Sequence, residues 1–227
     1  GLLEPIYYSV NTLEAQKLEN TDIWYYTTFE TDDSNIYLHF DGIDTISDIY
    51  INGKLVKSTD NMFIGYDVDG EFNVGLNEVV VHIKPVCIEA RKHTVPAESL
   101  AQKYNYQTLY TRKASHMYGW DIMPRIVSAG IWKDVEIRKK KANKINEVFI
   151  STCKIDYDSN SAFMRFYINF DADEDFITDY SVKVRGKCGN SSFYAEEKLW
   201  HNSYVFNFTV DDCRLWWPKN SGEQNMY

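Results

Sequence analysis

The reading of this chain turns on Arg112-Lys113-Ala114-Ser115-His116-Met117-Tyr118-Gly119-Trp120-Asp121-Ile122-Met123-Pro124-Arg125-Ile126-Val127-Ser128-Ala129-Gly130-Ile131-Trp132-Lys133-Asp134-Val135. Its second half, from Ala129, reads as a turn at Gly130 that leads into a strand. Its first half does not read as regular structure. Gly119 frees the backbone, Pro124 stops strand pairing, and Trp120-Asp121 lie between them. An indole offers a flat apolar face, and a carboxylate accepts hydrogen bonds from hydroxyls, so the pair suits sugar contact. The alternative is a Trp buried in a sandwich, with Asp121 bonding its own turn. Most loops are not sites, so spacing alone favours that alternative.

The same stretch resembles the N-terminal sugar-binding domain of glycoside hydrolase family 2, in its β-mannosidase branch. That family runs Arg-Lys, then Gly-Trp-Asp-Trp-Gly-Pro, then Gly-Ile-Trp and a strand. Arg112-Lys113, Gly119-Trp120-Asp121, Pro124 and Gly130-Ile131-Trp132 match it, and Ile122 and Met123 depart from it. The resemblance implies that Trp120 and Asp121 are substrate-binding residues. They would line the sugar subsite of an active site carried by a separate barrel.

Bulk properties set outer limits. A chain of 227 residues holds one large or two ordinary domains, and 44% hydrophobic content permits real cores. A formal charge of −9 argues against a nucleic-acid or anionic-membrane partner. Aromatics reach 15%, with 17 Tyr and 6 Trp, which suits β-sheet first and carbohydrate stacking second. No apolar run approaches the roughly 20 residues of a membrane span, and no signal-peptide pattern opens the chain. Secreted and cytosolic proteins both fit that pattern. The resemblance leads us to expect a secreted, periplasmic or lysosome-like location. Cys87, Cys153, Cys188 and Cys213 lack Cys-x-x-Cys spacing, which argues against a zinc site. Buried free thiols are expected ahead of a Cys153–Cys213 bridge.

Along the chain, Thr12 to Glu19 reads as a short helix capped by Asn11 or Thr12. Trp24, Tyr26 and Thr28 alternate with Tyr25, Thr27 and Phe29 in a first strand. Ile36, Leu38 and Phe40 share one face of the next. Asn52-Gly53, between Ile46–Ile51 and Lys54-Leu55-Val56, is a hairpin signal, because both turn residues need positive φ. Asn61-Met62-Phe63 opens a further segment. Gly75-Leu76-Asn77 turns into a strand with Val79, Val81 and Ile83 on one side. Residues 87–104, broken by Pro96, read as a helix-containing excursion, and His93 within it as a solvated residue. Ile131 to Arg138 should close the first sandwich, and the Lys139-Lys140-Lys141 run should be a solvated connection. Then come strands at Ile145–Thr152, Ala162–Phe170, Tyr180–Gly186 and Tyr204–Val210, with turns at Asp156–Ser161 and Asp171–Asp175.

The expected fold is all-β: a galactose-binding-like jelly-roll sandwich over residues 1–141, then an immunoglobulin-like β-sandwich over 142–227. The Leu215-Trp216-Trp217-Pro218 stretch, then Gly222-Glu223-Gln224 and Tyr227, is similar to the family's Leu-Trp-Trp-Pro-x-Gly-x-Gly-x-Gln-x-Leu-Tyr segment. In the family this segment precedes the last strands of the second domain, and an earlier strand precedes what is Gly1 here. The resemblance therefore implies a piece of a longer enzyme, short of its first strand and cut inside its second domain.

Glycoside hydrolysis needs two convergent carboxyl groups. Glu196-Glu197, Asp173-Glu174-Asp175 and Asp211-Asp212 are read as turns or exposed runs, where adjacent carboxylates do not converge. No catalytic residue is assigned, and no metal or cofactor is expected. By resemblance the catalytic glutamates lie on the barrel, outside this sequence, and the parent hydrolyses terminal β-mannosides. The expected partners are a terminal β-mannoside and that barrel. An independent carbohydrate-binding module is one alternative. Another is a ligand-free module in which Trp120, Trp132, Trp216 and Trp217 all pack; for the last three, packing is the expectation in any case. Exo-β-glucosaminidase, β-galactosidase and β-glucuronidase specificities stand behind β-mannosidase.

Overall fold

The computed structural model describes residues 5–6, 10–95, 105–172 and 179–227. The chain divides into two compact units, Gly1–Lys140 and Lys141–Tyr227. No helix among the described residues is long and apolar enough to cross a membrane.

The first unit opens with helix α1 (Asn11–Lys17) and a 3-10 turn, Leu18–Asn20. The cap position is Val10 with no side-chain cap, so the expected Asn11 or Thr12 cap is wrong. The Asn11 amide instead donates to the Pro5 carbonyl at 2.9 Å. Strands β1 (Ile23–Thr31), β2 (Ile36–Phe40), β3 (Ile43–Asp44), β4 (Ser47–Ile51), β5 (Lys54–Thr59), β6 (Tyr66–Val68) and β7 (Gly75–Ile83) follow. Helix α2 (Val86–Ala90) comes next, then β8 (Gly130–Ile131) and β9 (Val135–Lys139). Two antiparallel sheets, β1-β7-β4-β5 and β6-β2-β9, face each other, and β3 pairs with β8 beside them. This is a jelly-roll type sandwich.

Its core comes from the strand alternation read in the sequence. Ile36, Leu38 and Phe40 from β2 meet Ile49 and Ile51 from β4 and Val79, Val81 and Ile83 from β7, all buried. The Asn52-Gly53 hairpin forms, with φ of 50° and 79° at its two residues. Asn77 pins the base of this hairpin. Its side-chain oxygen accepts from the Asn52 amide at 2.9 Å and from the Asn73 N–H at 2.8 Å.

One strand of this unit differs from the expectation. Ile131 to Arg138 is not one strand. The chain pairs with β3 at Gly130–Ile131, breaks at Trp132 to Asp134, and then pairs with β2. At the break, Trp132 N–H donates to the Gly42 carbonyl and Asp41 N–H to the Asp134 carbonyl. The lysine run is solvated as expected, with Lys139 in a surface pair with Asp33 and Lys140 with Asp69. Residues 96–104 of the expected excursion lie outside the described residues.

The second unit holds β10 (Lys144–Asp156), β11 (Ser161–Asp171), β12 (Ser181–Cys188), β13 (Ser191–Lys198) and β14 (Ser203–Val210). Sheet β10-β11-β14 and the β12-β13 pair enclose Phe166, Ile168, Phe170, Val182, Leu199 and Phe206. This is an antiparallel sandwich of immunoglobulin type. Strand β13 has no counterpart among the expected strands; it carries Glu196, exposed as expected, and the half-buried Glu197. The expected carboxylate group at 173–175 lies outside the described residues.

Candidate functional site

The turn that carries Trp120 and Asp121 is built from both ends. On its N-terminal side a 3-10 turn, Ser115–Tyr118, closes at Gly119 with φ 94° and ψ 143°. That backbone region belongs to glycine, which explains the residue there. Tyr118 is wholly buried, and its hydroxyl lies 2.7 Å from that of Thr111. Burial pushes the Tyr118 phenol well above its ordinary range, against the opposing hydrogen bond from Thr111. Trp120 and Met123 then exchange backbone hydrogen bonds of 3.0 and 3.1 Å, so Asp121 and Ile122 form the corner of a tight turn.

This geometry drives the side chains outward. Trp120 is 71% exposed and Ile122 85%. Asp121 is exposed, and its carboxylate makes no hydrogen bond or ion pair among the described residues. The alternative of a sealed indole and a locally bonded carboxylate is therefore not what the molecule adopts.

Below the turn lies the lysine of the Arg-Lys pair. Lys113 Nζ is fully buried and donates to the Asp44 carboxylate and, at 2.6 Å, to the Ser128 carbonyl. Ser128 Oγ also donates to Asp44 at 3.0 Å. Burial pushes the Lys113 ammonium below its ordinary value, while Asp44 opposes the shift. Asp44 sits on β3, which pairs with β8, so the ion pair ties both halves of the 112–135 stretch to the sandwich. Arg112 uses its backbone instead, accepting from Met62 N–H at 3.0 Å, and its side chain is exposed.

On the C-terminal side of the turn, Arg125 donates through Nε and Nη2 to Glu19 at 2.9 and 3.2 Å. It also reaches the Tyr118 carbonyl at 3.2 Å. Neither Glu19 nor Arg125 stood out in the sequence. Their only early signal was the place of Arg125 directly after Pro124.

The other aromatic residues divide differently from the expectation. Trp132 Nε1 donates to the Met62 carbonyl at 3.2 Å, and Lys133 lies over its ring at 4.5 Å, yet half of the residue is exposed. Trp217 packs its ring against Gly222, where a Cβ would come within 2.7 Å. Trp216 and Trp217 also leave about half their surface open, so their packing is partial. His93 is exposed, as expected, but stacks on the Tyr110 ring at 4.8 Å.

All four cysteines are free. Cys87, Cys188 and Cys213 are buried, Cys153 is exposed, and no Cys153–Cys213 bridge forms. Cys153 lies on β10, a sheet edge with no buried residue, which is why it escapes the core. Among the described residues no group of His, Cys, Asp or Glu is arranged to hold a metal ion. Glu196 on β13 accepts hydrogen bonds from the hydroxyls of Tyr194 on the same strand and Ser181 on β12. The Tyr194 hydroxyl, with Lys183 and Ser181, holds its carboxyl below the ordinary range.

Comparison with known proteins agrees with this architecture. A β-mannosidase B from Emericella nidulans is 24% identical over 242 residues, which cover 100% of this chain and 28% of that protein. A mouse (Mus musculus) β-mannosidase is 27% identical over 258 residues, again 100% of this chain and 28% of the relative. The chain thus spans little more than a quarter of these relatives. Among solved structures, a β-D-mannosidase from Dictyoglomus thermophilum superposes with a TM-score of 0.77 at 26% identity, covering 95% of this chain and 27% of that one. An exo-chitosanase from Amycolatopsis orientalis shares the fold, with a TM-score of 0.61 at 19% identity. Residues 1–133 match the glycosyl hydrolase 2 galactose-binding domain-like family, and the chain belongs to it.

Proposed function

We propose that this chain is the non-catalytic N-terminal part of a family 2 glycoside hydrolase that removes terminal β-mannosides. Its first unit supports the barrel and supplies Trp120 and Asp121 to the glycone subsite. The observation that carries this reading is the turn itself. An indole 71% exposed stands beside a carboxylate with no partner among the described residues, on a bend held from both sides. Such a pair gives a stacking face and an acceptor for hydroxyls. Three of the four proteins compared, those at 24–27% identity, are named β-mannosidases, which favours that substrate class over the other family 2 sugars. An extracytoplasmic location belongs to the same reading.

The test is Asp121→Ala in the full-length enzyme. A charged hydrogen bond lost from a water-excluded site costs about 2–4 kcal/mol in transition-state stabilisation. Unchanged kcat/KM on a chromogenic β-mannoside refutes the assignment.

One observation favours a second reading, an independent carbohydrate-binding module. Trp24 and Tyr26 project from one face of β1, at 59% and 66% exposure. Calorimetry of this chain with manno-oligosaccharides separates the two readings. Silence is expected under the first, because half of the subsite lies on the barrel.

A further inference from the structure

We propose that Arg125 is the positioning residue of the Trp120–Asp121 turn, with Glu19 as the group that orients it. The proposal rests on the sugar-subsite reading for its functional consequence, and on geometry alone for the clamp.

The guanidinium of Arg125 joins three elements, the Leu18–Asn20 turn, the Ser115–Tyr118 turn and α2. Its Nε and Nη2 donate to the two Glu19 oxygens at 2.9 and 3.2 Å, a two-pronged pairing that fixes the plane of the group. Its Nη1 donates to the Tyr118 carbonyl at 3.2 Å, at the residue that closes the 3-10 turn. Its Nη2 also lies 3.3 Å from the Cys87 thiol on α2. Its Cζ sits 5.5 Å from the centroid of the buried Tyr118 ring. The backbone joins in as well. A Cβ on Gly119 would lie 3.2 Å from Arg125 Cβ, so the two ends of the turn touch. The Arg125 carbonyl accepts from the Gln16 amide at 2.9 Å.

Each partner fits an orienting role. Glu19 and Arg125 side chains are only 13% and 19% exposed, so solvent screens the pair less than a surface one. Burial pushes the Cys87 thiol up, with Glu19 adding to the shift and Arg125 opposing it. The sulfur is thereby kept as a neutral acceptor beside the guanidinium. Helix α1 buries no residue completely, and Leu13 within it and Leu18 just after it are exposed. Removing the clamp therefore takes little apolar burial with it. Its main effect falls on the Tyr118 carbonyl, which leads directly through Gly119 into Trp120. Lysine at 125 would keep a charge for Glu19. It could not bridge Glu19 and the Tyr118 carbonyl from one plane.

The experiment labels the chain with 5-fluorotryptophan and records 19F NMR spectra of wild type, Arg125→Lys and Glu19→Gln. Trp120→Phe assigns one of the six tryptophan resonances. The clamp predicts that the Trp120 signal shifts and broadens in both variants while the Trp216 and Trp217 signals hold. An unmoved Trp120 signal overturns it. So does a joint shift of all six, which would mean that Arg125 and Glu19 serve global stability only. In the full-length enzyme the same variants should lose about 10- to 100-fold in kcat/KM on a β-mannoside, the scale of a mispositioned contact. If Trp120 moves but neither these variants nor Trp120→Ala alters kcat/KM, the sugar-subsite reading fails and the clamp stands.

Discussion

The ammonium of Lys113 is held wholly out of solvent against the Asp44 carboxylate, 69 residues away in the sequence. Breaking a buried pair from one side leaves an uncompensated charge, at about 3–5 kcal/mol. Lys113→Met should therefore unfold the first unit at markedly lower denaturant concentration. Replacing both partners by apolar residues removes the charge altogether. The double variant Lys113→Met/Asp44→Leu should then be more stable than Lys113→Met alone, which urea titration of the three proteins can check.

Gly119 makes a second prediction. Its φ of 94° is strained for any side chain, and an added Cβ would press on Arg125 at 3.2 Å. Gly119→Ala should cost about 1–3 kcal/mol in stability. Gly53→Ala supplies the control. It shares a positive φ but meets open space, so its cost should be smaller and confined to backbone strain.

Asp48 gives stability an acid limb. Burial raises its carboxyl, but the Lys84 ammonium and the Ser58 hydroxyl outweigh that and leave it below the ordinary 3.8. The folded value is thus below the unfolded one, so its contribution is present above about 3.8 and is lost as pH falls through the folded value. Lys84 is the mirror case. Hydrogen bonding to Asp48 raises it above 10.5 despite burial, so its contribution is present below 10.5 and fades at higher pH. Asp48→Asn should cost about 0.2–1 kcal/mol near neutrality. The gap from wild type should close as thermal unfolding is repeated toward about pH 2.

How much of this was legible depended on how local the cause was. The Asn52-Gly53 hairpin was readable because its turn needs positive φ at two adjacent positions, and both have it. Strands β2 and β7 were readable because alternate residues go to one core. Strand β13 was not, because Ser191 to Lys198 is mostly polar and owes its form to pairing with β12. The break at Trp132 to Asp134 was hidden for the same reason, since it marks a change of partner from β3 to β2. At the site, Trp120 and Asp121 stood out through the glycine and proline beside them. Glu19 lies 106 residues from Arg125, and no spacing rule connects the two.

Where a bound sugar lies is decided by a crystal structure of the full-length parent protein with a mannose-configured inhibitor. The prediction is a pyranose ring set against the Trp120 indole, with an Asp121 oxygen about 2.6–3.2 Å from a ring hydroxyl. A sugar seated in the barrel with both residues beyond about 6 Å, out of reach even through a bridging water, would contradict it.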